Sequence, residues 1–328
     1  MNIAVVGAGM VGLWSALALT RRGARVQVFD AGAVAGEASW AGGGILCPLW
    51  PWSYPDGVCE IALRGARLWR EELERTSRER EAGLIRSSMT VNDRCDQAEQ
   101  WARRFELPLR LLAGDRVNLP TIDQVRTPRA GRVLGELATA AGVRIHCSTR
   151  VELTGAGARG TLRVAGRDLT EFDQILICAG AWSGKLLEEI GVSCDIHPVR
   201  GQMIALKGRA TSGAIVLQDG RYLVPRSETL VLCGSTMENA GFDRSTTAAG
   251  RRELVEAAVN MDAGLATAEV VHHWAGLRPG SPDGVPEIGR VGGYDNLWVN
   301  IGHHRNGVAM APATAQILAD RMLTELTS

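Results

Sequence analysis

The opening stretch of the chain constrains the fold most. Asn2 to Val6 is apolar, Gly7, Gly9 and Gly12 follow as Gly-x-Gly-x-x-Gly, and Leu13 to Arg21 reads as an amphipathic helix. A second apolar run, Ala24 to Phe29, ends in Asp30. Strand, glycine turn, helix, strand and acid in this order make a dinucleotide site. The first glycine permits the tight turn, the second lets the backbone approach a pyrophosphate, and the third lets helix and strand pack closely. The phosphates would sit at the helix N-terminus, whose unpaired N–H groups and dipole attract anions. Asp30 stands where a carboxylate accepts from both ribose hydroxyls, which argues against a 2′-phosphate. A second string with the same spacing, Gly155, Gly157 and Gly160, lies between two short strand-like runs with no helix after it, and reads as a hairpin turn.

Further along, Gly32 to Gly57 is a long turn-rich segment holding Gly42, Gly43, Gly44, Pro48, Pro51 and Pro55; a loop of that length inside a compact fold is usually functional. Helices are expected over Cys59–Arg80, Asp93–Phe105 and Pro128–Ala141, with Gly142 as the stop. Val143–His146 and Gln174–Cys178 read as buried strands, the second followed by a helix over Trp182–Ile190. From His197 to Cys233 the pattern alternates and turns at Asp219-Gly220, which signals antiparallel strands. A helix over about Thr246–Asp262, a strand over Ala268–Leu277, a buried strand over Asn296–Ile301 and a closing helix over Gly307–Leu326 complete the reading. The expectation is an α/β chain: a doubly wound, Rossmann-like nucleotide domain with an interleaved antiparallel-sheet substrate domain. Residues 1–80, 128–195 and 278–328 are assigned to the first and 81–127 and 196–277 to the second.

Lys plus Arg and Asp plus Glu are 36 each in 328 residues, so there is no electrostatic case for nucleic acid or an anionic membrane surface. Seven cysteines without a Cys-x-x-Cys suggest reduced thiols and a cytoplasmic setting. No run of about 20 apolar residues is present, so no membrane span is expected. The apolar stretch Ile3 to Leu19 lacks the basic start of an export signal and carries the nucleotide glycines, so it reads as mature structure. His272-His273 and His303-His304 hold four of the six histidines. Neighbours on a strand point to opposite faces and cannot chelate one ion, so no metal is expected. A single dinucleotide fingerprint favours one tightly held flavin dinucleotide over a flavin reduced by a nicotinamide cofactor, which would usually need a second; the alternative, a nicotinamide-only dehydrogenase, is disfavoured by the glycine-rich loop beyond Asp30, where close backbone approach suits a larger cofactor.

The motifs GAGMVG, ASWAGGGIL, ICAGAWS, YLVPR, GSTM, WAGLRPGSPDG and GHHRNGVAMAPATA, in this order and spacing, resemble the glycine oxidase branch of the D-amino acid oxidase superfamily. The resemblance covers essentially the whole chain and is weakest from about Arg80 to Val125. It implies non-covalent FAD held by Gly7, Gly9, Met10, Val11, Gly12, Asp30, Ala31, Ala38, Ser39, Gly43, Gly44, Ile45 and Val151. Ala179, Gly180 and Trp182 would join them, and His303, His304, Arg305, Asn306, Gly307, Val308 and Ala309 would complete the site. Tyr222 and Arg278 match positions that bind a substrate carboxylate, Arg305 a second arginine near it, and Met237 an active-site side chain. His304 departs from the aromatic residue more often found there.

Read from the residues alone, Arg278 ends an apolar strand and fits either a ligand carboxylate or an internal salt bridge. Tyr222 fits a ligand contact or a core aromatic, and Met237 an active-site side chain or a flexible core filler. The implied activity is oxidative deamination of glycine or another small amino acid, with oxygen reduced to hydrogen peroxide. The imino product would hydrolyse to a keto acid and ammonia, or feed thiazole synthesis for thiamine. The alternative is a dehydrogenase of the same fold that hands electrons to a quinone or carrier. Family resemblance also implies a homotetramer.

Overall fold

The computed structural model describes every residue except Arg94, Cys95, Asp115 and Ser328. Asn2–Val6 lies at the heart of a six-stranded sheet, paired in parallel with Arg25–Phe29 on one side and Gln174–Ile177 on the other. Arg144–His146 and Leu297–Ile301 extend the parallel set, and Glu287–Arg290 closes one edge antiparallel. Both faces are covered, as the apolar strands require. Side chains divide by parity: Ile3 and Val5 enter the core beneath the helices, while Ala4 and Val6 enter the core on the opposite face.

The first helix, Met10–Thr20, is buried nearly all round rather than amphipathic, because it is wedged against both Thr127–Ala140 and Gly307–Thr327. On the other face, a three-stranded antiparallel sheet (Glu152–Ala156, Arg159–Val164, Arg167–Leu169) and the short helix Ser183–Glu188 do the covering, where further long crossover helices would complete a doubly wound domain. The second glycine string is its hairpin: Gly155 pairs with Gly160, and Gly157 (φ 60°) turns the chain. Of the expected buried strand Val143–His146, the strand Arg144–His146 is only partly buried because it is the last strand at the edge of the sheet.

The second sheet has eight strands, ordered Glu269–Gly280, His197–Lys207, Leu230–Gly234, Arg221–Ser227, Ile215–Gln218, Ile85–Val91, Arg116–Gln124 and Arg110–Leu112. All neighbours are antiparallel except Ile215–Gln218 with Ile85–Val91. Asp219 and Gly220 both take positive φ (49° and 74°), the geometry a two-residue hairpin turn needs. The expected helix over 59–80 is Asp56–Thr76 followed by the short Glu79–Ala82; that over 93–105 is Ala98–Arg104, with Arg94 and Cys95 outside the described residues. Ala248–Met261 is capped by Thr247, whose Oγ1 accepts from the Gly250 N–H at 3.0 Å.

The turn-rich segment after Asp30 is pinned. The Thr127 hydroxyl bonds to the carbonyls of Trp40 (3.0 Å) and Gly42 (2.8 Å), and Trp274 Nε1 donates to the Ala41 carbonyl at 3.0 Å. All six described cysteines are free thiols. Among the described residues, no helix is long and apolar enough to cross a membrane.

Candidate active site

Residues of both large sheets line one cavity of ≈ 870 Å³, within the size range of ligand sites. At one end the wall is main chain. Gly7 takes φ 110°, and a Cβ there would lie 2.3 Å from the Cys178 carbonyl oxygen. A Cβ on Gly12 would meet the Gly7 carbonyl at 1.9 Å, so Gly12 sits behind the wall and lets helix and turn pack. Gly9 caps the first helix without a side chain, and the Met10 N–H donates to Ser39 Oγ at 2.9 Å. The Asp30 carboxylate is aimed by two backbone donors, Ala8 N and Gly32 N, each at 2.7 Å, leaving lone pairs on both oxygens for a ligand.

At the other end the wall is made of long side chains. Tyr222 is 4 % exposed, and its hydroxyl donates to Met203 Sδ at 3.5 Å. A Cβ on Gly43 would come within 2.9 Å of the Tyr222 ring, so loop and ring touch because Gly43 has no side chain. Arg278 Nη2 donates to Ser235 Oγ at 2.5 Å and Nη1 to the Thr236 carbonyl at 3.2 Å. No described carboxylate pairs with it, so the internal salt bridge is absent. Burial is the main cause pushing its pKa down to about 10, which leaves it charged at neutral pH. Gly201 makes room: a Cβ there would fall 2.0 Å from an Arg278 nitrogen.

Arg226 was not singled out from the sequence, although period-two alternation puts it on the same face as Tyr222 and Val224. It is buried, and its guanidinium donates to the carbonyls of Gly43 (2.6 Å) and Val125 (3.1 Å) and to Gln124 Oε1 (2.5 Å). Burial pushes its pKa down to about 10. It anchors the glycine loop against the eight-stranded sheet.

Most expected site residues line this cavity: Gly7, Gly9, Met10, Val11, Asp30, Ala31, Ala38, Ser39, Gly43, Gly44, Ile45, Val151, Ala179, Gly180, Trp182, Tyr222, Arg278, His303, His304, Arg305, Gly307 and Val308. Four do not. Gly12 packs behind the turn. Asn306 turns its side chain away, its Oδ1 accepting from Leu49 N at 3.2 Å. Ala309 is buried against the helix Asp56–Thr76, where its carbonyl would meet a Cβ on Gly65 at 2.0 Å. Met237, beyond the end of Leu230–Gly234, is 49 % exposed and lies in a neighbouring cavity. The cavity also takes Phe29, Arg150, Lys185, Phe242 and Arg244, which carried no local motif; Arg244 pairs with Glu37 at 2.5 Å.

His304 adopts φ 45° and its N–H donates to the Pro279 carbonyl at 3.0 Å. Burial, then the charges of Arg278 and Arg305, push its pKa down to about 4, so the ring is neutral at pH 7. His303 Nε2 lies 3.1 Å from Thr314 Oγ1, and burial lowers its pKa to about 3. His273 Nε2 lies 3.0 Å from Gln202 Oε1. Among the described residues, no group of three or more His, Cys, Asp or Glu is placed to hold a metal ion.

The glycine turn, the helix N-terminus beside it and the aimed Asp30 suit a flavin dinucleotide; lacking side chains, Gly7 packs on the Cys178 main chain and Gly43 on the Tyr222 ring, and this close packing shapes the wall. Comparison with known proteins agrees. The chain is 39 % identical to the glycine oxidase of Pseudomonas aeruginosa over 98 % of this chain and 94 % of that protein. Its fold matches the crystal structures of iminodiacetate oxidase from Chelativorans sp. BNC1 (TM-score 0.87, 28 % identity, 98 % and 95 % of the two chains) and of glycine oxidase from Geobacillus kaustophilus (TM-score 0.87, 26 %, 98 % and 94 %). Residues 2–321 match the family described as FAD dependent oxidoreductase, DAO, and the chain belongs to that family.

Proposed function

We propose that this protein is an FAD-dependent oxidase of glycine or another small amino acid. The observation that carries the reading is Arg278: a half-buried, charged guanidinium facing the cavity, bonded to a hydroxyl and a carbonyl and, among the described residues, to no carboxylate. Such a charge is costly without an anion, and a substrate carboxylate supplies one through charge-assisted hydrogen bonds. The Tyr222 hydroxyl is the second contact for that carboxylate. Anchoring it fixes the α-carbon and turns a bimolecular encounter into an oriented one.

FAD, held non-covalently by the Gly7–Gly12 turn and Asp30, would supply the two-electron acceptor for hydride loss from the α-carbon. The substrate reacts with its amine neutral. The imino acid product hydrolyses to a keto acid and ammonia, or is passed on to thiazole assembly for thiamine, and oxygen becomes hydrogen peroxide. Residues 1–80, 128–195 and 278–328 would take the cofactor, and 81–127 and 196–277 the substrate, with Arg278 at the boundary because the strand Glu269–Gly280 carries it on the eight-stranded sheet. That division is supported by the six-stranded sheet, which draws all its strands from the first set. We assign the protein to the cytoplasm as a homotetramer.

The test is anaerobic titration of the purified yellow protein with glycine, sarcosine, D-alanine and D-proline, followed by mixing with oxygen. Bleaching of the visible flavin band by any of these, with rapid recovery in oxygen, is expected. Slow recovery alongside fast reduction of an artificial acceptor would make the protein a dehydrogenase. No bleaching by any small amine would overturn the substrate class.

A further inference from the structure

Beside the cavity described above lies a second, more open one of ≈ 800 Å³, and the two share Leu49, His304 and Arg305. Arg305 stands at this junction. Its guanidinium carbon lies 4.8 Å from the centre of the Trp50 ring, a stacking that holds the planar group in place. Its donors are nevertheless poorly used. Among the described residues, Nη1 has only Met237 Sδ at 3.6 Å, Nη2 only the Gly220 carbonyl at 3.4 Å, and Nε is buried without a partner.

Nearby arginines behave differently. Arg200 pairs with Glu238 and Asp243, Arg221 pairs with Glu253, and Arg226 spends its donors on carbonyl oxygens. The acid on the outer cavity, Asp283, is exposed and forms no ion pair with Arg305. Among the described residues, Arg278 and Arg305 therefore place two uncompensated cations along one path, with a neutral His304 beside them. One monocarboxylate neutralises only one of the two, and a desolvated charge left unpaired is unfavourable.

We propose that Arg305 is a binding site for a second carboxylate, so that the preferred substrates are amino dicarboxylates, with one acid group on Arg278 and the other on Arg305. This rests on the amine-oxidising reading given above. The second acid reaches Arg305 either from a substituent on the amine nitrogen or from the side chain on the α-carbon.

The experiment uses the FAD-loaded enzyme and matched pairs: sarcosine against iminodiacetate for the nitrogen arm, D-alanine against D-aspartate for the side-chain arm. At least a roughly tenfold higher kcat/KM for the dicarboxylate is expected in one pair, and the winning pair identifies the arm. Arg305→Gln should bring that ratio to about one. Calorimetric titration with malonate and acetate, neither of which carries an amine, gives a readout without turnover: malonate should bind roughly tenfold more tightly. If no amine is oxidised yet malonate is preferred, the oxidase reading fails and the second anion site stands. If neither dicarboxylate outperforms its partner, or malonate binds no better than acetate, the second site is overturned. The wild-type ratios and titration decide this even if Arg305→Gln does not fold, and Arg305→Lys serves as the conservative variant.

Discussion

At the Gly7–Asp30 end of the cavity, the wall is main chain held within atomic contact of other main chain: Gly7 against Cys178, Gly12 against Gly7, and Asp30 aimed by two backbone N–H groups. At the Tyr222–Arg278 end, it is built from long side chains that different strands of the eight-stranded sheet bring together: Tyr222 and Arg226 from one, Arg278 from another. The first end is specified by shape and has no room for one added methyl group. The second is specified by charge and hydrogen bonding, and can accept a change of side chain if the volume is kept. A loss of shape at the first end should therefore damage stability and cofactor retention together, while a loss of charge at the second should separate stability from activity.

The largest effect should come from Gly12→Ala. The added carbon would sit on the Gly7 carbonyl, and forcing the helix away costs about 3 kcal/mol or more, with loss of bound flavin. Thermal unfolding and the flavin-to-protein absorbance ratio check this; a normally loaded, stable variant would break the shape argument. Arg278→Met is next, with kcat/KM expected to fall by roughly 100-fold to 1,000-fold, because a buried charge contact to the substrate is lost. Its melting temperature without substrate should be unchanged or raised, since replacing a half-buried cation that pairs with no described carboxylate by an apolar side chain removes a desolvation penalty. A lowered melting temperature would mean that Arg278 is structural.

Arg226→Met tests the seam between the two ends. It leaves the Gly43 and Val125 carbonyls unbonded and should cost about 2 to 3 kcal/mol of stability. Weaker flavin retention should accompany that loss, measured by dilution and refiltration.

The smallest effect concerns pH. His303 and His304 have folded pKa values pushed down to about 3 and about 4, below the ordinary 6.5, so the unfolded chain binds more protons between those values. Stability is fully present above pH 6.5 and falls as the pH drops towards 4. Partly buried His304 should account for about 2 kcal/mol of that loss. Asparagine tolerates the left-handed backbone at this position, so His304→Asn should fold and show a shallower decline in melting temperature between pH 6.5 and 4.5. An unchanged decline would assign it elsewhere.

The difference between the two ends also governs what could be read in advance. Gly7, Gly9, Met10, Val11, Asp30 and Ala31 were legible because strand, turn and helix follow one another along the chain, and their geometry depends on near neighbours. Hairpins at Gly157 and at Asp219-Gly220 were legible for the same reason. Arg226 was missed because its carbonyl partners, Gly43 and Val125, are about 180 and 100 residues away. Met237, Asn306 and Ala309 sit within motifs whose neighbours line the cavity, yet their own side chains point elsewhere. The first helix misled in another way: read as amphipathic over Leu13 to Arg21, it is Met10–Thr20, and packing against two helices and the sheet leaves almost no exposed face.

By itself, the amino-acid sequence determined the α/β class, the dinucleotide turn and the residues whose conformations are set by glycine, proline and hydrophobic period, because these are properties of contiguous chain. Only the tertiary structure decided which cations lack counter-ions. Whether Arg200, Arg226, Arg278 or Arg305 is paired depends on residues tens to hundreds of positions away, and the register of the long strands sets those distances.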